Sequence, residues 1–235
     1  MPQERSDHHF DRFAQNYDQN LQRGLQITGE SKQFYAAGRV RWVQRQLHLL
    51  GVHPQRILDY GCGTGSSIRL LLALDGTSRV TGVDVSVSSL ATAVRDHSDL
   101  QQVDFSTPER LPPLGQFDLV FCNGVFHHIA PPQRAAAMDY IAGSLKSGGF
   151  AALWENNPWN PGTRWVMRRI PFDRDAQMLF PSALRRLASA AGLKVLRTRF
   201  AFICPRTLRF LRPSERLLSS LPLGGQYVAL CCKPP

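Results

Sequence analysis

Two adjacent histidines and a glutamate are side chains that could move a proton. His127 and His128 follow the apolar run 117–122, and Glu155 follows the apolar run 149–154. Imidazole titrates near neutral pH, so either histidine could act as a general base. A carboxylate could orient the histidine or bind the acceptor. We therefore predict that His127, His128 and Glu155 are catalytic, although the histidine pair could instead only hold its loop.

A glycine-rich turn, Gly61-Cys62-Gly63-Thr64-Gly65, follows a predicted strand at 56–60. Glycine permits a tight turn and the close approach of a ligand, and ligands of parallel sheets bind where strands end. Dinucleotide loops need Gly-x-Gly-x-x-Gly, but position 66 is serine. The spacing thus favours S-adenosylmethionine (SAM), which carries no pyrophosphate. Asp84, at the end of the next predicted strand, could accept both ribose hydroxyls.

The surrounding elements alternate between strands and helices. Alternation of this kind predicts a parallel sheet with helices on both faces. Two later strands, at 194–203 and 226–232, could form an antiparallel edge pair. Near the start, helices are predicted at 7–20 and 31–50 because apolar residues recur there at helical spacing. The other predicted strands are 79–84, 101–105, 117–122 and 149–154, and the other predicted helices are 66–74, 86–96, 132–145 and 182–191.

Three motifs together resemble the class I SAM-dependent methyltransferases. They are Asp59-x-Gly61-x-Gly63-x-Gly65, Val83-Asp84 and Phe117-Asp118-Leu119-Val120. The chain looks like the small-molecule branch, which includes quinone and natural-product methyltransferases. The resemblance implies an α/β, Rossmann-like, doubly wound seven-stranded sheet, mostly parallel with an antiparallel edge strand, plus N-terminal helices. On this interpretation residues 1–50 form a helical cap, and 51–235 form the methyltransferase domain with a lid insertion at about 157–180.

The same resemblance assigns a set of SAM-binding residues. The three motif glycines would line the methionine portion and Asp59 would support its ammonium, aided by Asn123, while Asp84 would bind the ribose. Asp104 and Phe105 would contact the adenine. Tyr17 would lie on a helix that covers the cofactor, although core packing explains that side chain equally well. The implied cofactor-binding residues are Tyr17, Asp59, Gly61, Cys62, Gly63, Gly65, Asp84, Val85, Asp104, Phe105 and Asn123.

Composition and charge narrow the setting in which the chain would work. Hydrophobic residues make up 43% and charged residues 20% of 235 residues, as in soluble globular proteins. No apolar run reaches the length of a membrane span, and the five cysteines have no metal-binding spacing. We therefore expect a cytoplasmic protein with reduced cysteines and no metal.

The net charge of +10 is confined to the last third of the chain. Residues 1–150 contain 14 basic and 14 acidic residues, whereas residues 151–235 contain 14 basic and four acidic residues. Basic residues there interleave with apolar ones, a pattern that suits a membrane surface, a lipid-like substrate or an RNA backbone. An amphipathic helix packed on the domain, with its arginines in water, would give the same pattern.

The expected activity is SAM-dependent transfer of a methyl group to a small molecule, leaving S-adenosyl-L-homocysteine. The acceptor group is predicted to be a hydroxyl of a hydrophobic or anionic metabolite. Methylation of carbon or nitrogen, and RNA methylation by the basic third, remain alternatives. Nucleic acid is the less favoured partner. Methyltransferases that act on base amines have an Asn-Pro-Pro-Tyr motif at the end of the fourth strand, whereas the similar Asn-Asn-Pro sequence at 156–158 follows the fifth strand here.

Overall fold

A computed structural model of the protein describes residue 24 and residues 28–170 and 176–235. The strands are β1 (Arg56–Tyr60), β2 (Arg79–Val83), β3 (Val103–Ser106), β4 (Phe117–Asn123), β5 (Leu145–Asn156), β6 (Lys194–Ala201) and β7 (Gln226–Cys232). The helices are α1 (Lys32–Leu49), α2 (Ile68–Leu72), α3 (Val87–Asp96), α4 (Arg134–Ser144), α5 (Pro161–Arg169), α6 (Pro181–Ala190) and α7 (Glu215–Leu218). Segments of 3₁₀ helix lie at Pro131–Gln133 and Arg206–Ser214.

All seven strands belong to one sheet, in the order β3-β2-β1-β4-β5-β7-β6. The first five pair in parallel, and β7 pairs antiparallel with both β5 and β6. The predicted fold is therefore confirmed, including the antiparallel pairing of the last two strands at one edge. Strand β6 is the outer member of that pair, and β7 is inserted between β6 and β5.

The central strands are buried on both faces, as expected of a parallel sheet covered by helices. Successive side chains of a strand point to opposite faces, so Leu58 and Leu153 pack in one hydrophobic cluster. Phe121 and Trp154 pack in the other cluster, beneath α1. The indole of Trp42 on α1 meets that of Trp154 edge to face, with 5.5 Å between ring centroids.

The predicted lid at 157–180 contains a helix that sequence patterns did not indicate. Asn160 caps α5 by accepting a hydrogen bond from the Thr163 amide at 2.9 Å, and Pro161 occupies its first turn. Both features favour a helix start. Asn160 also donates to the Leu223 carbonyl at 2.8 Å, which ties α5 to the segment before β7.

The predicted helix at 7–20 lies outside the described residues, and the division at residue 50 stays a prediction. Within the ranges that the structure describes, no helix has the length and apolar character needed to cross a bilayer.

Candidate functional site

The glycine turn connects β1 to α2 at the carboxyl edge of the sheet. The amides of Gly61 and Cys62 donate to the Val83 carbonyl at 2.7 and 3.0 Å, which ties the turn to the end of β2. Gly61, Gly63 and Gly65 all have positive φ angles, of 72°, 53° and 82°. A side chain at Gly61 would collide with Val125, whereas a Cβ at Gly63 would meet open space. The turn therefore leaves room for a ligand beside Gly63.

Asp84 holds the glycine turn through its carboxylate. One oxygen accepts from the Gly63 amide at 2.8 Å and the other from the Ser86 amide at 2.9 Å. Each carboxylate oxygen has a second lone pair, so both could still accept from a ligand hydroxyl. The neighbouring Val85 is 46% exposed and Cys62 is buried, with its thiol close to Gly82.

Asp59 is a buried carboxyl group with an unfavourable electrostatic environment. Burial, followed by the nearby charge of Asp84, raises its pKa to about 7, although the Arg39 guanidinium lowers it in part. A cationic ligand group placed here would favour the ionised form of Asp59. Asn123, at the end of β4, has a buried side-chain oxygen without a hydrogen-bond partner in the described part of the chain. Both groups fit a ligand that brings an ammonium.

The position of Asp104 does not support the expected contact with adenine. It is the second residue of β3, and its half-exposed carboxylate pairs with Arg79, with 2.6 Å between Oδ2 and Nε. The residues at the carboxyl end of β3 are Ser106 and Thr107 instead. Phe105 does lie near the glycine turn, because a Cβ on Gly82 would meet both its ring, at 2.8 Å, and the thiol of Cys62, at 2.9 Å. The sequence prediction ended this strand at residue 105, whereas β3 ends at Ser106.

The structure brings His127 and Glu155 together in a buried pair. The Nδ1 atom of His127 lies 2.6 Å from Oε2 of Glu155, and both side chains are at most 4% exposed. The other oxygen, Oε1, accepts from the Phe126 amide at 2.7 Å. The carboxylate is thus held at both oxygens and fixes the imidazole ring, so that proton exchange at this ring would fall to Nε2.

His128 lies beside this pair, with its ring centroid 4.1 Å from that of His127. Arg134 braces the same loop by donating to the carbonyls of Ile129 and Gln177 at 2.9 and 2.8 Å. The Gln177 amide in turn donates to the His127 carbonyl at 2.9 Å. Backbone contacts therefore fix both histidines at the carboxyl end of β4.

A cavity of about 470 Å³ opens beside these histidines. His127, His128 and Asn123 line one side of it. Aromatic rings and two cations line much of the rest: Lys32, Phe34, Tyr35, Arg39, Trp165 and Phe202. No carboxylate stands among the described lining residues. The cavity therefore suits a partly apolar molecule with an anionic or polar group.

Arg39 is a candidate site residue that the sequence reading missed. It is 7% exposed and lines the cavity, and one of its amino groups donates to Gln226 at 3.0 Å. The sequence pattern indicated no role for Arg39, because its helix contains other arginines. The signal was its place in the apolar stripe of α1, four residues before Val43.

Two further predictions concern ligands of the site. Tyr17 lies outside the described residues. In the described ranges, no three histidine, cysteine or acidic side chains are grouped so that they could hold a metal ion.

Comparison with known proteins relates the chain to methyltransferases. A family model described as a methyltransferase domain matches residues 57–149. The chain is 31% identical over 172 residues to the ubiquinone biosynthesis O-methyltransferase of Coxiella burnetii, which spans 67% of this chain and 70% of that protein. It is 32% identical over 119 residues to the trans-aconitate 2-methyltransferase of Rhodopseudomonas palustris, with coverage of 51% and 45%. The chain thus spans less than half the length of some of the curated relatives that it matches.

A solved structure has the same fold. The magnesium protoporphyrin IX methyltransferase of Synechocystis, solved with bound SAM, superimposes with a TM-score of 0.57. The match covers 91% of this chain and 83% of that one at 18% sequence identity.

Proposed function

Because the chain belongs to the class I SAM-dependent methyltransferases, we propose that it transfers a methyl group from SAM to a hydroxyl of a small molecule. The observation that carries the proposal is the buried His127–Glu155 pair, of which His127 lines the cavity at the carboxyl end of β4. Two of the relatives are named as methyltransferases of small-molecule metabolism, one for ubiquinone biosynthesis and the other for trans-aconitate.

The residues around the glycine turn fit the cofactor. Asp84 would accept the ribose hydroxyls, and the open space at Gly63 would take the methionine portion. Asp59, whose raised pKa reflects an uncompensated buried carboxyl group, would pair with the ammonium. Arg39, whose positive charge partly lowers the pKa of Asp59, would bind the methionine carboxylate. When bound, SAM supplies a methyl group on a positively charged sulfur.

His127 would take the proton of the acceptor hydroxyl at Nε2. Glu155 would hold the opposite nitrogen and stabilise the imidazolium that results. Because Glu155 is itself fixed by the Phe126 amide, the ring cannot turn without breaking its hydrogen bond to a carboxylate that is held in place. That hydrogen bond thus keeps the base oriented.

The cavity also supports a proposal for the acceptor class. Its aromatic rings would pack against a hydrophobic or aromatic body, and Lys32 would attract an anionic substituent. We therefore propose a hydroxylated, partly apolar acceptor that carries a carboxylate or a comparable anionic group.

Two experiments test the proposal in turn. Calorimetry should detect SAM binding to the wild type and its loss in Asp84→Ala, and binding of NADH instead of SAM would refute the cofactor assignment. Radiolabelled SAM should then label products in extracts separated into lipid, small polar and RNA pools. Label in the small-molecule pools supports the proposal, and label only in RNA contradicts it.

The base assignment has its own test on the isolated acceptor. His127→Asn and Glu155→Gln should lower kcat about 100-fold, within the range of general-base catalysis, with SAM affinity retained. His128→Asn is the matched control, because it removes the imidazole that lies 4.1 Å from His127 between ring centroids and leaves the His127–Glu155 hydrogen bond in place. Full activity of His127→Asn would refute the general base, while leaving methyl transfer itself intact.

A further inference from the structure

The segment between β6 and β7 presents apolar side chains to water. Phe210 is 70% exposed and Leu217 is 85% exposed, although such side chains are usually covered. Exposed leucines extend this area toward the start of β7. We call this area the loop surface, formed by Leu208, Arg209, Phe210, Leu211, Arg216, Leu217, Leu221 and Leu223.

The segment is anchored from within, so its outer side chains are presented on a fixed backbone. The Arg212 guanidinium pairs with Glu30 and lies 4.5 Å from the ring centroid of Phe34. Glu215 accepts from the Cys204 amide at 2.8 Å. These inward contacts hold the segment on both sides of Arg209 and Phe210 while leaving them exposed.

The charge of the segment is strongly positive. Residues 202–225 contain four arginines and a single acidic residue, Glu215, which is engaged inward. Arg209 and Arg216 are exposed and have no acidic partner in the parts of the chain that the structure describes. The loop surface therefore combines unpaired cations with bulky apolar side chains.

We propose that the loop surface docks on an anionic lipid bilayer. Phospholipid headgroups would neutralise the arginines, while Phe210 and Leu217 would enter the boundary between headgroups and acyl chains. An RNA backbone would satisfy the cations but would gain little from five exposed leucines, which cannot stack on bases. A lipid surface satisfies both kinds of side chain.

Docking here would bring the cavity to the membrane. Ile203, Cys204 and Pro205 line the cavity and lead directly into the loop surface. A hydrophobic acceptor could then pass from the bilayer into the cavity. That consequence rests on the proposed function, whereas the docking itself does not.

Vesicle sedimentation tests the docking without any assay of methyl transfer. The full chain should sediment with phosphatidylcholine vesicles that contain phosphatidylglycerol, and much less with phosphatidylcholine alone. Each arginine near an anionic bilayer strengthens binding about fivefold, so Arg209→Gln with Arg216→Gln should weaken it about 30-fold. Phe210→Ser with Leu217→Ser should weaken it at least tenfold, including at high salt.

A matched control separates the loop surface from net charge. Arg185→Gln with Arg186→Gln removes two exposed charges from α6 and should leave most binding intact. Circular dichroism and SAM calorimetry verify that each variant is folded. Absent binding of the wild type, or an equal loss in the α6 control, would overturn the proposal. So would binding of RNA that depends on the arginines but not on Phe210 and Leu217.

Discussion

Asp59→Asn is expected to stabilise the ligand-free protein while impairing its binding of SAM. The pKa of Asp59 rises from 3.8 to about 7 in the folded chain, chiefly through burial and then through Asp84. That difference in pKa corresponds to about 4 kcal/mol of unfolding free energy, which the folded protein loses when Asp59 ionises. The loss is absent below pH 3.8 and grows as the pH rises through 7. Asparagine cannot ionise, so the variant avoids it.

The quantity to measure is the difference in unfolding free energy between Asp59→Asn and the wild type. Asparagine can also change the stability in a way that does not depend on pH. That contribution is the same at two pH values, so it cancels when the differences in unfolding free energy are compared. From pH 5 to pH 8 it should grow by about 2.5 kcal/mol in favour of the variant. Urea unfolding without SAM provides the values. Asp99→Asn, at an exposed residue, is the control and should show no such growth.

The same ionisation should appear in ligand binding. SAM affinity of the wild type should rise about tenfold from pH 6 to pH 8, because only ionised Asp59 can pair with the ammonium. Asp59→Asn should bind weakly with a much flatter pH dependence. A stability difference that stays constant between pH 5 and pH 8 would refute the electrostatic reasoning about Asp59, whatever happens to binding.

Three other changes give separate expectations. Gly63→Ala should abolish SAM binding by filling the open space, whereas Gly192→Ala, also at a positive φ and with open surroundings, should cost similar stability and keep binding intact in calorimetry. Glu155→Gln should change the acid limb of the plot of kcat against pH, because the carboxylate no longer stabilises the imidazolium of His127. An unchanged acid limb would argue that Glu155 is only structural. Tyr227→Phe should cost about 1 kcal/mol in urea unfolding, since its buried hydroxyl donates to the Leu179 carbonyl at 2.7 Å, and no loss would contradict that bond.

Much of the sheet was predictable because its pattern is local. Strands β1 and β7 match their predicted ranges, since buried apolar runs bounded by turn residues determine them. Helix α5 was missed although it is amphipathic, because it is only nine residues long and its start depends on the Asn160 cap. The long 3₁₀ segment Arg206–Ser214 was missed because it is fixed by distant partners, among them Glu30 and Phe34.

The candidate site shows the same division between local and distant information. The glycine turn and Asp84 are close enough in sequence for motif spacing to relate them. Asp104 was misplaced because a short strand gives no periodic signal that marks its end. The role of Arg39 depends on the pairing of α1 with the sheet, which no spacing reveals. The contact of His127 with Glu155 was foreseen only as a general option, and its geometry required the folded chain.

The position of β7 has a consequence for the order in which the sheet can form. Strand β6 leaves the ribosome before β7, yet it has no hydrogen-bonded place beside β5 until β7 has been made and inserted between them. The emerging chain therefore carries an unpaired edge on β5 and an unattached β6 during synthesis. Contacts that join residues 145–156 to 226–232 close a long loop, and such closures slow folding. The half of the sheet next to the cavity is thus the last part that nascent chains can complete.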